Sequence, residues 1–421
     1  MEPFDYQKVG IDFLKIRKSA LLADEPGLGK TGQAIMAAKE VGAVNILVIC
    51  PKSPIANWMR EFAMWWPERE GTGRLTVVNF DLFSQKPLKH KVKEIIAESW
   101  DVVLIDEAHR LKTPGANRTK AIYGKVIKNA KRVWLLSGTP TPNHNGELWS
   151  HLRATAPSNI KNALGEPMSK TEFEDEYCKV DDHPQFGRRI IGNKNTKALK
   201  ERIAPWVLRR RKAEVLPDMP ALRFSNYPIL GASTPLGTDL PPNLSAENGE
   251  DVLAWLRSEE VPLSSERRLT GAAKAPGVID VVNDALNDGQ PKVIVFAHHR
   301  DVLDLLEQGL ANYNTVRIDG QVSADDRDTA VTRFQTDDSV RVFLGQISAC
   351  GEALTLTAAS EVIFAEFSWT PSENYQAACR AHRIGQNNAV NARFISVAGS
   401  IDDVIAKTLA RKAREISELF G

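Results

Sequence analysis

Only four cysteines occur in the 421 residues, Cys50, Cys178, Cys350 and Cys379, and they lie far apart. No Cys-x-x-Cys pair or Cys/His cluster at metal-ligand spacing occurs, which argues against a disulfide framework or a zinc module and leaves buried free thiols as the expectation. No apolar run approaches the length needed to cross a bilayer, and the start Met1-Glu2-Pro3-Phe4-Asp5-Tyr6-Gln7 lacks the basic, then apolar, pattern of a secretory signal. A cytoplasmic location, in a bacterium or a virus-infected host, is expected. Net charge is nearly absent, with 54 Lys and Arg against 53 Asp and Glu. The chain therefore has no global field for a polyanion, and nucleic-acid binding would need a local groove. No tandem repeat occurs at solenoid periods.

What is present is ordinary globular composition, 43% hydrophobic and 25% charged, in a length suited to two or three domains. Short apolar, β-branched runs recur at 19–23, 44–50, 102–105 and 133–136, and again at 292–297, 340–344, 362–367 and 392–397. Each is followed by loop residues and a helical pattern. Such runs read as buried parallel strands with crossover helices, hence an α/β chain with two doubly wound parallel-sheet lobes. Between them, about 147–215 reads as helical and basic, with Arg188, Arg189, Lys194, Lys197, Lys200 and Arg202 before Arg209-Arg210-Arg211-Lys212. Prolines and glycines from Pro217 to Pro242 fit a linker, and a short helical patch follows at 251–260. The expected divisions are 1–146, a helical protrusion at 147–216, a linker with a short insertion at 217–275, and 276–421 with a closing helical segment at 402–419.

Asp24-Glu25-Pro26-Gly27-Leu28-Gly29-Lys30-Thr31 follows a short strand and opens a helix expected over 31–39. Backbone N–H groups of such a loop can cradle phosphates, Lys30 can reach the β- and γ-phosphates, and the Thr31 hydroxyl can ligate Mg²⁺. Asp24 stands where a P-loop pattern begins with Gly, and a glycine-rich strand-to-helix turn would share this look. Asp106-Glu107-Ala108-His109 directly follows Val102-Val103-Leu104-Ile105, so two carboxylates sit at a strand's carboxyl end. There Asp106 can hold Mg²⁺ and Glu107 can orient and deprotonate an attacking water. Ser137-Gly138-Thr139-Pro140 ends the run at 133–136, and its hydroxyls could couple the γ-phosphate region to the rest of the lobe. Late in the chain, Gln376-Ala377-Ala378-Cys379-Arg380-Ala381-His382-Arg383-Ile384-Gly385-Gln386 is expected to place Arg380 and Arg383 at i, i+3 on one helical face. Guanidinium groups there could neutralise charge on a transferring phosphoryl group, although a solvated basic face has the same spacing.

With these motifs in order, nearly the whole chain resembles the Swi/Snf-related ATPases of helicase superfamily two. Further signatures are Val77-Val78-Asn79-Phe80-Asp81-Leu82, Leu135-Leu136-Ser137-Gly138-Thr139-Pro140-Thr141-Pro142-Asn143, Glu147-Leu148-Trp149, Val207-Leu208-Arg209-Arg210-Arg211-Lys212 with Val215-Leu216-Pro217, and Ile318-Asp319-Gly320. The stretches 348–360 and 364–371 look most like the annealing-helicase subgroup. The resemblance implies two RecA-like lobes with helical insertions. It also implies ATP and Mg²⁺ as cofactors, an adenine-side motif at Tyr6 and Gln7, and a phosphate loop at Gly27, Leu28, Gly29, Lys30 and Thr31. Asp106 and Glu107 match the metal and water-activating pair, with Thr31 as the second metal ligand. Gly351, Gln376, Arg380 and Arg383 match the part of the site supplied by the second lobe. Pro26 replaces the family's Met, and Cys350 and Ala353 replace glycines of the Ala-Gly-Gly-x-Gly-Leu motif.

The resulting expectation is a monomeric ATPase stimulated by double-stranded DNA, with forked or branched DNA as further substrates, moving by alternating grip of two lobes. Phosphate contacts are expected from Lys52, Ser53, Arg110, Lys112, His298, His299 and Arg300. A strand-separating helicase on DNA or RNA shares the same nucleotide chemistry, and a nucleotide-gated scaffold would be marked by loss of Lys30, Glu107 or an arginine, all of which are present.

Overall fold

A computed structural model describes residues 2–69, 71, 73–183, 187–229, 263–350, 354–397, 400–402, 405–406 and 409. They divide into two compact units, one running to Pro217 and the other starting at Asp218. Each carries a six-stranded sheet in which every pairing is parallel.

In the first unit the strands are β1 (Ser19–Leu22), β2 (Asn45–Cys50), β3 (Arg74–Asn79), β4 (Trp100–Asp106) and β5 (Ala130–Leu136). A hairpin of β6 (Cys178–His183) and β7 (Gly187–Asn193) follows, and β8 (Val207–Leu208) completes the sheet in the order β3-β2-β4-β5-β1-β8. Residues of β2 alternate between two cores, Leu47 and Ile49 on one face, Ile46, Val48 and Cys50 on the other. Burial on both faces is why these strands read as unbroken apolar runs. The helix expected over 31–39 is Lys30–Glu40, and the crossover it makes leaves the carboxyl end of β1 beside those of β5 and β4. Part of the basic segment differs from expectation. Helices Leu148–Thr155, Lys170–Tyr177 and Thr196–Ile203 are present, but Arg188 and Arg189 lie in the β6–β7 hairpin, paired with Asp175 and Asp181. Alternating charges in that hairpin carry no apolar period from which a strand could be read.

The second unit orders its sheet β11-β12-β10-β13-β14-β9, from β9 (Leu222–Ile229), β10 (Val293–Ala297), β11 (Val316–Ile318), β12 (Val342–Gln346), β13 (Glu361–Phe364) and β14 (Val390–Val397). Ile294 and Phe296 face one core, Val293, Val295 and Ala297 the other. β9 lies inside the stretch that reads as linker. It is an edge strand, exposed through most of its length and carrying Pro228, so it has neither the apolar density nor the alternation of the central strands. The helical patch expected at 251–260 lies outside the described residues, as does the closing segment beyond Leu409. All four cysteines are buried free thiols. No helix among the described residues is long and apolar enough to cross a membrane.

Candidate nucleotide site

The first unit brings three loops to one level at the carboxyl edge of its sheet. Leu22 of β1 pairs in register with Leu136 of β5, and Leu136 with Asp106 of β4. Ala23 to Lys30, Glu107 to His109 and Ser137 to Thr139 therefore leave adjacent strands side by side, in the crevice where open α/β sheets bind ligands.

Left-handed backbone shapes the first loop, with φ of 92° at Gly27 and 71° at Gly29, the residue that caps the helix Lys30–Glu40. A Cβ on Gly29 would fall 2.3 Å from Gln7 Nε2. Gln7 Nε2 and the Tyr6 hydroxyl both donate to the Leu28 carbonyl, at 3.3 and 3.4 Å, so the adenine-side pair expected from sequence is seated on the loop. Pro26 packs over Gly138, where a Cβ would lie 2.9 Å from Pro26 Cγ, which joins the first loop to the third. Lys30 Nζ donates to the Asp24 and Glu25 carbonyls at 2.7 and 3.2 Å. Burial holds its pKa below the ordinary lysine value, against the opposing charges of Glu107, Asp24 and Asp106.

Asp106 carries the opposite imbalance. Burial, then the neighbouring Glu107 charge, pushes its carboxyl well above the usual range, although the Trp58 indole donates to Oδ2 at 3.0 Å and Lys30 pulls the other way. Two adjacent, partly buried carboxylates whose desolvation and mutual repulsion outweigh the pull of Lys30 on Asp106 fit a divalent cation. Glu107 has φ 47° and ψ 49°, a left-handed conformation that costs a non-glycine residue roughly 1–3 kcal/mol and re-aims its side chain off the end of β4. Its Oε2 lies 3.2 Å from His109 Nδ1, which is 3.2 Å from Ser137 Oγ, which accepts from the Thr139 amide at 3.2 Å. This chain of contacts runs from the acidic pair to the Ser137 loop.

Arg209 and Arg210, part of the basic run and of a family signature in the sequence, both lie against the phosphate loop. Arg209 donates to the Ala23 and Gly138 carbonyls at 2.9 and 3.1 Å. Arg210 forms an ion pair with Asp24, whose side chain is fully buried. The residue that departs from the P-loop pattern is thus the anchor of this pair. The signal in the sequence was its strangeness: a carboxylate at a position expected to be glycine needs a partner if it is buried.

In the second unit, His298, His299 and Arg300 follow β10, and Glu366 follows β13. Glu366 accepts from the His298 and His299 amides at 2.9 and 2.8 Å and meets His299 Nδ1 at 2.7 Å. Burial raises its pKa, but these His299 and His298 contacts outweigh it and hold the carboxyl below its ordinary value. Arg300 pairs with Asp319, and in the first unit Lys112 pairs with Glu147 at 2.6 Å. Of the residues expected to meet DNA phosphates, His299, Arg300 and Lys112 thus meet carboxylates; Lys52, Ser53 and Arg110 have exposed side chains and His298 is partly buried.

Gln376 lies buried on the helix Pro371–Ala378, but that helix stops before the arginines. Arg380 and Arg383 sit in the following turn rather than on one helical face, because the Arg380 carbonyl is taken by the Leu356 amide at 2.8 Å instead of by the next helical turn. Arg380 is buried, whereas Arg383 is partly exposed and donates to the Leu354 carbonyl at 2.7 Å and Thr355 Oγ1 at 3.1 Å. Gly351 lies outside the described residues, with Ala353. Cys350, where the family has glycine, ends the short helix Ile347–Cys350, a backbone that needs no glycine.

The family described as SNF2-related domain matches residues 6–223, and that described as helicase conserved C-terminal domain matches 277–385. Over 433 residues the chain is 31% identical to the Xenopus tropicalis SWI/SNF-related matrix-associated actin-dependent regulator of chromatin subfamily A-like protein 1, covering 98% of this chain and 44% of that protein. It is 31% identical over 447 residues to human DNA annealing helicase and endonuclease ZRANB3, covering 97% of this chain and 39% of that one. The chain thus spans less than half the length of these relatives. A solved Sulfolobus solfataricus SWI2/SNF2 ATPase core in complex with dsDNA aligns over 97% of this chain and 92% of that one, at 21% identity and a TM-score of 0.44.

Proposed function

Because the chain belongs to the SNF2-related family, we propose that it is an ATP hydrolase stimulated by double-stranded DNA, which it translocates along without a requirement for strand separation. The observation that carries this reading is the convergence of three loops from neighbouring strands that end level with one another, one leading to Lys30, one carrying Asp106 with Glu107 and one carrying Ser137, with the charges of Glu107, Asp24 and Asp106 acting on Lys30. Backbone amides of Gly27 to Thr31 and the start of the helix hold the triphosphate, and Lys30 exchanges its two loop carbonyls for phosphate oxygens. Asp106 and Thr31 would hold Mg²⁺, which supplies positive charge across the phosphates. Glu107 orients the attacking water and accepts its proton, and His109 fixes the Glu107 carboxylate. Tyr6 and Gln7 meet the base. Arg380 and Arg383 are the second unit's candidates for acting on the bound nucleotide, and nucleotide binding and release would alternate the grip on DNA phosphates.

The curated relatives named as DNA annealing helicases support DNA as the partner, and the near-zero net charge requires a local binding surface. ATP turnover measured with duplex, single-stranded and forked DNA and with RNA tests the reading. Duplex DNA is expected to stimulate most, and Lys30→Ala is expected to abolish turnover while leaving the circular dichroism unchanged. Turnover indifferent to duplex DNA, or full activity in Lys30→Ala, overturns it. Displacement of a triplex-forming strand without displacement of a duplex strand marks translocation; the reverse marks a strand-separating helicase.

A further inference from the structure

The segment that returns from the helical insertion runs as a strap beside the phosphate loop. Leu21 N donates to the Trp206 carbonyl at 2.8 Å, Ala23 N to Leu208 at 2.7 Å and Glu25 N to Arg210 at 3.1 Å, so the β1–β8 ladder continues past the sheet into the loop itself. At its end Lys212 N donates to Glu25 Oε2 at 2.8 Å. Arg210 occupies the centre of this strap. Its guanidinium donates to both Asp24 carboxylate oxygens, to the Tyr6 carbonyl and to Gln33 Oε1, the last at 2.7 Å, and its carbon lies 5.4 Å from the centre of the Tyr6 ring. Gln33 in turn donates to Asp24 Oδ2 at 3.2 Å and to the Leu28 carbonyl at 3.0 Å. The helix that carries Tyr6 and Gln7, Asp5–Lys15, closes on the same fork: a Cβ on Gly10 would fall 1.8 Å from Gln33 Oε1 and 2.8 Å from Arg210 Nη2.

We propose that Arg210 is a positioning residue that sets nucleotide-base selectivity by locking Tyr6 and Gln7 to the phosphate loop through Asp24. The inference rests on the assignment of Tyr6 and Gln7 to the base side of an ATP site. A base is discriminated by a fixed pattern of donors and acceptors, and an adenine amino group differs from a guanine carbonyl in sign rather than in size. Such discrimination holds only while the residues that read the base keep their distance from the residues that hold the phosphates, since one ligand spans both. Tyr6 and Gln7 both hydrogen-bond the loop at the Leu28 carbonyl. Arg210 adds a second, charge-assisted tie from the Tyr6 backbone to the buried Asp24 at the loop's start. Only a guanidinium has enough fixed donors to bind both carboxylate oxygens, a carbonyl and an amide oxygen at once, so lysine keeps the charge but loses the fork.

The test compares wild type, Arg210→Lys, Asp24→Asn and the double variant in ATP and GTP turnover, with melting temperatures as a check of folding. Arg210→Lys is expected to raise the KM for ATP about tenfold, as loss of one charge-assisted tie implies, with kcat within about twofold. The preference for ATP over GTP should fall by a similar factor. Asp24→Asn should do the same, and the double variant should be no worse than either, because both cut one link. Unchanged KM and unchanged base preference in Arg210→Lys, with only a lowered melting temperature, overturns the proposal by showing a structural role alone. Effects that multiply in the double variant also overturn it. Should Asp24→Asn fail to fold, Arg210→Lys decides. Should the wild type hydrolyse no ATP, the proposed function fails by itself, and equilibrium binding of fluorescent ATP and GTP analogues to wild type and Arg210→Lys still measures the base preference.

Discussion

At the scale of single residues, burial sets the protonation states that hold the first unit together. His151 is 1% exposed on the helix Leu148–Thr155, and its Nδ1 lies 2.7 Å from the Tyr123 hydroxyl. Burial, reinforced by His109, pushes its pKa down to about 3 from 6.5. The folded value lies below the unfolded one, so the unfolded chain binds the proton more readily. The contribution of His151 is fully present above about pH 6.5 and is lost as pH falls from there toward 3, by about 1.4 kcal/mol per pH unit. Between pH 6.5 and 5 the first unit is therefore expected to lose about 2 kcal/mol from this residue. Urea unfolding at pH 7.5 and 5.0 measures it, with His151→Gln, which retains an acceptor for Tyr123, expected to give the flatter profile. Parallel losses in the two proteins would assign the acid sensitivity to other groups.

At the scale of elements, the start of the helix Lys30–Glu40 concentrates the requirements of the site. Gly29 has a left-handed φ of 71°, and the nearest atom to an added Cβ is the Gln7 amide nitrogen at 2.3 Å. Gly29→Ala is expected to cost about 1–2 kcal/mol in backbone strain and, by displacing Gln7, to abolish measurable ATP binding. Calorimetric titration with ATP beside a thermal melt checks both effects, and wild-type ATP affinity in this variant would detach Gln7 and the loop from the nucleotide. This part of the site was legible in the sequence because phosphate binding demands glycines and a lysine at fixed positions after a strand. The central strands were legible too, since burial on both faces leaves β2, β4, β10 and β13 with dense apolar runs. What escaped has different physics. Edge strand β9 exposes Phe224 and Tyr227 and needs no such run, and the β6–β7 hairpin is held partly by ion pairs among charged residues. The arginine turn after Ala378 depends on a hydrogen bond from Leu356, 24 positions earlier than Arg380, which no local period encodes. The partners of Arg209 and Arg210 are not legible within the basic run because Ala23, Asp24 and Gly138 lie far away in the chain.

At the scale of the whole molecule, the proposed motor needs a group in the second unit that acts on the nucleotide held by the first. Arg380 and Arg383 are the sequence candidates, and their surroundings in the second unit separate them. Arg380 is buried, and its removal would leave a cavity whose effect on folding would obscure any effect on catalysis. Arg383 is partly exposed and bound to the Leu354 carbonyl and Thr355 hydroxyl, two neutral acceptors that a phosphate oxygen can outcompete. Arg383→Ala is therefore the informative change. A guanidinium acting on the transition state rather than on bound ATP contributes about 10³ or more to kcat and little to affinity. The variant is expected to retain wild-type ATP affinity and DNA binding while losing duplex-stimulated turnover by about that factor, with the melting temperature shifted little. Arg383→Lys should recover only a small part, since an ammonium replaces the charge without the planar pair of donors. Turnover within threefold of wild type in Arg383→Ala would exclude this arginine from the reaction, and the stroke would then need a different contact between nucleotide and second unit.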